Sequence, residues 1–232
     1  MTNSSQTLKQ KWADLKQAQP HIRIRNAAAE LSVSEGELLA TQCGESVTRL
    51  NPDFKGILAR IEELGYVMAL TRNNDVVHER KGTYLNAELN NDHVGLFVGE
   101  DIDLRIFFKN WAHAFAVTEM AKDKPRYSIQ FFAKDGEAIH KIYLTEKSNT
   151  EAYLNLVNAF KSADQLQSIP VEPIADSSFN TPNGEVDVKA FQSDWENLKD
   201  THHFFGLLAK YKLNRTQALR LAPAGNYAVK VS

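Results

Sequence analysis

The chain has 232 residues, 43% of them hydrophobic, so one large or two small cores can be buried without a disulfide or a structural metal. Its 27 basic and 29 acidic side chains and a pI near 6.4 leave no global field that would gather nucleic acid or an anionic membrane surface. Met1 to Lys11 is polar and lacks a secretory signal's apolar run, no stretch reaches the ~18 apolar residues of a bilayer span, and the single Cys43 cannot pair within the chain, so a cytoplasmic setting is expected.

From about Gln6 to Gln42 the pattern predicts short helices: Leu8, Trp12 and Leu15 share a face, and Ser34-Glu35-Gly36-Glu37 has the form of a capping box. Asn51-Pro52 announces a further helix that carries Phe54, Ile57, Leu58, Ile61 and Leu64 and ends at Gly65. The period then changes to short apolar or alternating runs, at 66–70, 94–98, 104–108, 114–117, 128–132 and 138–144, which predict strands. Asp135-Gly136 marks an antiparallel hairpin between the last two runs, and Asn73-Asn74 suits the turn of an earlier pair. Thr150 to Phe160 should form a helix on that sheet, and the proline- and polar-rich stretch that follows reads as a linker before helical pattern resumes at Val188.

The expected class is therefore α+β: a helical lead-in, an antiparallel sheet with packing helices, and a second helical segment. The expected boundaries are 1–162, a linker over 163–187, and 188–232. The last segment echoes the first. Trp195-Glu196-Asn197-Leu198-Lys199 matches Trp12-Ala13-Asp14-Leu15-Lys16, and Leu213 to Arg220 matches Val33 to Ala40, with Asn214 where Ser34 caps. This predicts an internal repeat whose second copy stops at Ser232 without its sheet.

Asp200 suits an N-cap, which places Thr201, His202 and His203 in the first turn of a helix with apolar stripe Phe204, Leu207, Leu208 and Tyr211. At 100° per residue His202 points away from that stripe, and the positive end of the helix dipole favours a neutral ring, the form a metal requires. A polar surface histidine fits the same geometry. His78, His93, His113 and His140 lack the spacings of a zinc site, Cys43 has no nucleophile surroundings and reads as packing, and no phosphate-binding glycine loop occurs. Arg105 lies amid Leu104, Ile106, Phe107 and Phe108. It is either a strand arginine paired with Asp103 or Glu100, or a fixed cation lining an apolar pocket.

Several long motifs occur in order: Asp101-Ile102-Asp103-Leu104-Arg105-Ile106-Phe107, Trp111-Ala112-His113-Ala114-Phe115, Ser128-Ile129-Gln130-Phe131-Phe132, and Ala138-Ile139-His140-Lys141-Ile142-Tyr143. Asp200-Thr201-His202-His203-Phe204-Phe205 and Thr216-Gln217-Ala218-Leu219-Arg220 follow. Together they resemble the bacterial haem-degrading and haem-trafficking family of HemS, ChuS and PhuS, over nearly the whole chain. The resemblance implies a tandem duplication that binds haem, iron protoporphyrin IX. It places the iron ligand at His202, a reserve ligand at His203, and a catalytic and haem-contacting arginine on the other haem face at Arg105. It further implies a cytoplasmic protein that accepts imported haem for trafficking or oxidative opening, with a haem oxygenase or importer as partner.

Members of that family extend by about a further half-repeat, so this sequence is expected to be a fragment or a short form with a more open site. The competing expectation is a non-catalytic module whose incomplete second repeat docks such a partner or a second copy of the chain.

Overall fold

Three short helices open the described chain: α1 (Leu8–Ala18), α2 (Ile24–Glu30) and α3 (Glu35–Ala40). Thr7 caps α1 by accepting from the Gln10 N–H at 3.2 Å, and the predicted capping box starts α3, with Ser34 and Glu37 each satisfying the other's backbone N–H. Trp12 packs on Ala27, Ala28 and Leu38 and holds the three helices together. The computed structural model describes residues 7–121, 124–173, 185–200, 203–223 and 225. It divides into two compact units, Met1–Ile174 and Ala175–Ser232.

The helix expected from Asn51-Pro52 is shorter than its pattern. Asp53, rather than Asn51, caps α4 (Phe54–Ala59) by accepting from the Gly56 N–H at 2.9 Å, and the chain tightens into a 3₁₀ turn over Ile61–Leu64 before Gly65 at φ 67°. Six strands form one antiparallel sheet in the order β1-β6-β7-β8-β2-β3: β1 (Val47–Leu50), β2 (Gly65–Arg72), β3 (Val77–Gly82), β6 (Trp111–Ala121), β7 (Lys124–Ala133) and β8 (Ala138–Ser148). The remaining two, β4 (Val94–Val98) and β5 (Asp103–Phe107), pair as a separate two-stranded ribbon. The sequence pattern does not announce β1, four residues long, or β3, a solvent-exposed edge strand with a charged sequence. Asn73 turns β2 into β3 by accepting from the Asp75 and Val76 N–H groups at 2.9 and 2.8 Å.

Strand alternation sorts the sheet into two faces. On one, Val67, Ala69, Ala116, Ile129, Phe131 and Ile142 are buried beneath α4, the 3₁₀ turn and α5 (Thr150–Phe160). On the other, α3 covers only part of the surface, with Leu39, Ala40 and Cys43 packed on Phe115, Val117 and Phe132. Burial pushes the Cys43 thiol up, in keeping with a packing role. Gly136, at φ 78° in the β7–β8 turn, lies against Ser34, and its carbonyl accepts from the Gly36 N–H at 2.8 Å, so a side chain there would drive α3 off the sheet.

Residues 163–173, the first part of the stretch read as a linker, are tied to the first unit. Gln165 exchanges two bonds of 2.9 Å with the Arg49 backbone, Gln167 donates to the Cys43 carbonyl at 3.2 Å, and Ile169 is buried beside Phe115. The second unit contains α6 (Val188–Glu196), α7 (Phe204–Tyr211) and α8 (Arg215–Arg220) around Phe191, Leu207, Leu208, Leu213 and Ala218. Asn214 and Gln217 form the capping box of α8.

A polar chain runs from the exposed Thr71 at the sheet's margin to the buried His140 and Tyr84 on the covered face. Thr71 Oγ1 lies 2.8 Å from His140 Nδ1, and Tyr84 Oη lies 2.6 Å from His140 Nε2. Burial lowers the His140 pKa to about 4 from its ordinary 6.5, so the folded state holds the ring neutral while the unfolded chain takes up the proton first. The resulting stability is complete above pH 6.5 and is lost as pH falls toward 4, a total of about 3 kcal/mol at 1.36 kcal/mol per unit. In urea unfolding, the stability advantage of the wild type over His140→Gln should narrow by that amount across this window. A constant difference would contradict the assignment.

Candidate functional site

Arg105 stands on the β4–β5 ribbon. Phe97 and Ile106 turn inward and are buried, Leu104 is partly buried against the same core, and the ribbon's outer face sets Val94, Leu96 and Val98 opposite Phe107, Arg105 and Asp103. Val98 is 48% exposed and Phe107 65%, so the guanidinium rises from an apolar platform open to solvent rather than from an enclosed pocket. Of the two ion pairs expected for it, neither Asp103 nor Glu100 engages it among the described residues; the neighbouring carboxylate of Asp101 binds Arg80 instead.

The ribbon is hung on the segment that follows β3. Glu88 and Leu96 exchange backbone bonds of 2.9 and 3.0 Å, the Val98 N–H reaches the Leu85 carbonyl at 3.1 Å, and the Tyr84 ring packs edge-on against Phe97 at 5.0 Å. The His140 chain thus fixes Tyr84, Tyr84 fixes Phe97, and Phe97 sits across from Leu104, next to Arg105.

In the second unit, α7 begins at Phe204, with His203 rather than Asp200 in the cap position. The His203 N–H bonds the Asp200 carbonyl at 3.0 Å, a tighter i−3 turn ahead of the α-helix, and its side chain is exposed and caps nothing. His202 lies outside the described residues. One turn on, Phe205 is 60% exposed with Arg215 over its ring at 5.1 Å, and a Cβ at Gly206 would meet nothing within 4 Å. Arg105 and His203 therefore fall on different units, each on an open surface. Among the described residues no group of three or more His, Cys, Asp or Glu could hold a metal ion, and no helix is long and apolar enough to cross a membrane.

A third feature escaped the sequence reading. The incompletely covered sheet face and the three opening helices line a cleft of about 730 Å³ that is open to solvent. In its wall Lys141 of β8 pairs with Glu35, the first residue of α3; their side chains are 8% and 3% exposed. Arg126 stacks over the Tyr143 ring at 4.9 Å and pairs with Glu119. A lysine amid the alternating apolar run 138–144 was the available signal, but its partner stands 106 residues away and reads as an ordinary first-turn acid.

Residues 32–160 match the family model described as the haemin-degrading HemS/ChuX domain, more than half of the chain. The chain belongs to this family. The hemin transport protein HmuS of Yersinia pestis is 36% identical to this HemS/ChuX-family chain over 215 residues, 92% of the chain and 61% of that protein. The structure of holo-PhuS, a haem-binding protein from Pseudomonas aeruginosa, superposes with a TM-score of 0.80 at 42% identity, covering 94% of this chain and 63% of that one. ChuS, an E. coli haem oxygenase, gives a TM-score of 0.72 at 29% identity over 94% of this chain and 62% of its own. The chain thus spans about three fifths of the length of the curated relatives it matches.

The buried Lys141–Glu35 pair joins β8 to the start of α3 in this HemS/ChuX domain. Lys141→Met leaves the Glu35 carboxylate buried alone and should cost about 3–5 kcal/mol, whereas Lys141→Met combined with Glu35→Gln should recover most of that loss. Urea unfolding of the two variants checks this. A single variant no less stable than the double would contradict it.

Proposed function

We propose that this chain binds haem in the cytoplasm for transfer or oxidative degradation, with His202 as iron ligand, His203 as reserve and Arg105 at the other face of the macrocycle. The observation that carries the reading is the 42% identity, across nearly the whole chain, to a protein described as haem-binding. The residues present fit such a group. An apolar ribbon face with a central guanidinium suits a flat, apolar macrocycle better than it suits water. An exposed phenylalanine beside a glycine with open space leaves room for close approach of a ring on α7.

Bound haem supplies the iron redox chemistry. The chain's own residues bind and orient it. An imidazole at position 202 donates one ring nitrogen, Leu96, Val98 and Phe107 exclude water from a macrocycle face, and Arg105 holds a hydrogen-bond donor above it. The proposal that the second unit repeats the first draws support from matching details. Ser32 and Lys212 are both left-handed, at φ 56° and 51°, each just ahead of a capping box. The Val33 N–H meets the Ala28 carbonyl at 3.0 Å, as the Leu213 N–H meets that of Leu208.

Titrating the chain with ferric haem should produce a Soret band that His202→Ala shifts or weakens and that His202→Ala/His203→Ala abolishes. An unchanged spectrum in the double variant would refute the ligand assignment. Haem, oxygen and an electron donor, with catalase removing free peroxide, then separate the two fates: a ring-opened product marks degradation, and its absence marks transfer.

A further inference from the structure

We propose that the outer edge of β3 pairs antiparallel with the same strand of a second copy of this chain, about a two-fold axis at Arg80. The two edges of the six-stranded sheet differ. At β1, Leu50 bridges to Lys161, and Ser162 and Gln165 bond the Arg49 backbone, so that edge is closed. At β3, Val77 to Lys81 are exposed in succession, β2 takes the bonds on the inner side, and among the described residues no other segment bonds the main chain of 77–82. The outward N–H and C=O groups of β3 are left to water or to another strand.

The side chains decide which strand can be added. In an antiparallel pair, directly opposite residues share a face. A two-fold axis normal to the sheet keeps each face on its own side, so a residue can oppose only residues of its own face in the copy. Val77, Glu79 and Lys81 stand on the cleft face, opposite Arg72, Leu70 and Met68 of β2. The two registers that overlap most of the strand are centred on Glu79 and on Arg80. The first sets glutamate against glutamate, which repels. The second sets each Glu79 against Lys81 of the other copy, giving two attractive pairs.

The charges needed for this are uncommitted. Neither Glu79 nor Lys81 makes an ion pair among the described residues, and Arg126, which also lines the cleft, is taken by Glu119. On the other face the two Arg80 side chains meet at the axis already neutralised, since each pairs with Asp101 and donates from Nε to the Asp101 carbonyl at 3.1 Å. Charged side chains on an edge strand ordinarily keep other strands away. These exclude strands that lack the complementary pattern, and β3 itself has that pattern.

A six-residue strand pair is a small contact and a weak one. Sedimentation equilibrium of the whole chain without haem, at concentrations up to about 1 mM, should show a monomer–dimer equilibrium that added salt weakens. Glu79→Lys and Lys81→Glu should each weaken dimerisation by about tenfold or more, because either one turns both attractions into repulsions. An equimolar mixture of the two variants should associate at least as well as the wild type, one chain presenting two positive charges to the other's two negative ones. Damage to the strand by either substitution would not be repaired in the mixture.

Amide exchange in 77–82 should slow as the concentration of wild-type chain rises. A chain monomeric throughout, single variants that dimerise like the wild type, a mixture that stays monomeric, or exchange in 77–82 indifferent to concentration would each overturn the proposal. No haem is added, so the outcome is independent of the His202 assignment.

Discussion

A six-stranded sheet has two apolar faces to hide, and this chain covers them unequally. One face lies beneath α4, its 3₁₀ turn and α5, which deliver Ile57, Leu58, Ile61, Leu64 and Leu156 fully buried. Among the described residues the other meets α3, Ile24 at the start of α2 and the strap 163–173. Everything unusual about the first unit follows from that imbalance. Where α3 stops, the sheet still presents Met68, Leu70 and Tyr143, and the opening helices roof a space over them instead of packing into it. A lysine and a glutamate, out of water and facing each other, mark the edge of the dry part.

The covered face has the opposite character: it is full, and it uses its one polar chain to hold something outside the sheet. Between Thr71 and Tyr84 the buried His140 ring is satisfied with no charge, and burial disfavours its imidazolium form. Tyr84 then meets Phe97, and the β4–β5 ribbon is fixed at its base while its outer surface stays open. A cation on such a ribbon is presented rather than buried. This is the physical sense in which the fold positions Arg105, and why an arginine surrounded by apolar residues in sequence ends in solvent.

Much of the fold was legible because its elements carry local signals. β4 and α5 fall on the predicted residues, the Ser34 box starts α3 as read, and Asp135-Gly136 turns the hairpin between β7 and β8. What was not legible depends on partners far along the chain. β3 is charged because it is an edge, a fact that only the strand order supplies. Asn51-Pro52 reads as a helix start, yet Asp53 wins because its side chain reaches the Gly56 N–H. Residues 163–173 have a linker's composition, and their hold on Arg49 and Cys43 is non-local. Of the candidate site, the sequence proposed Arg105, His202 and His203, and of the two that are described it gave no sign that Arg105 would stand open to solvent. The buried Glu35–Lys141 pair stayed hidden because each partner has an ordinary local explanation.

The reading proposed above from membership of the HemS/ChuX family is that a flat apolar ligand is held by an imidazole at position 202 and a guanidinium at position 105. A crystal structure of the chain grown with ferric haem tests this most directly. The account predicts iron bonded to the imidazole of His202, with Arg105 at the opposite face of the macrocycle. Iron bonded to any other residue, or haem seated wholly within the cleft of the first unit, would contradict it.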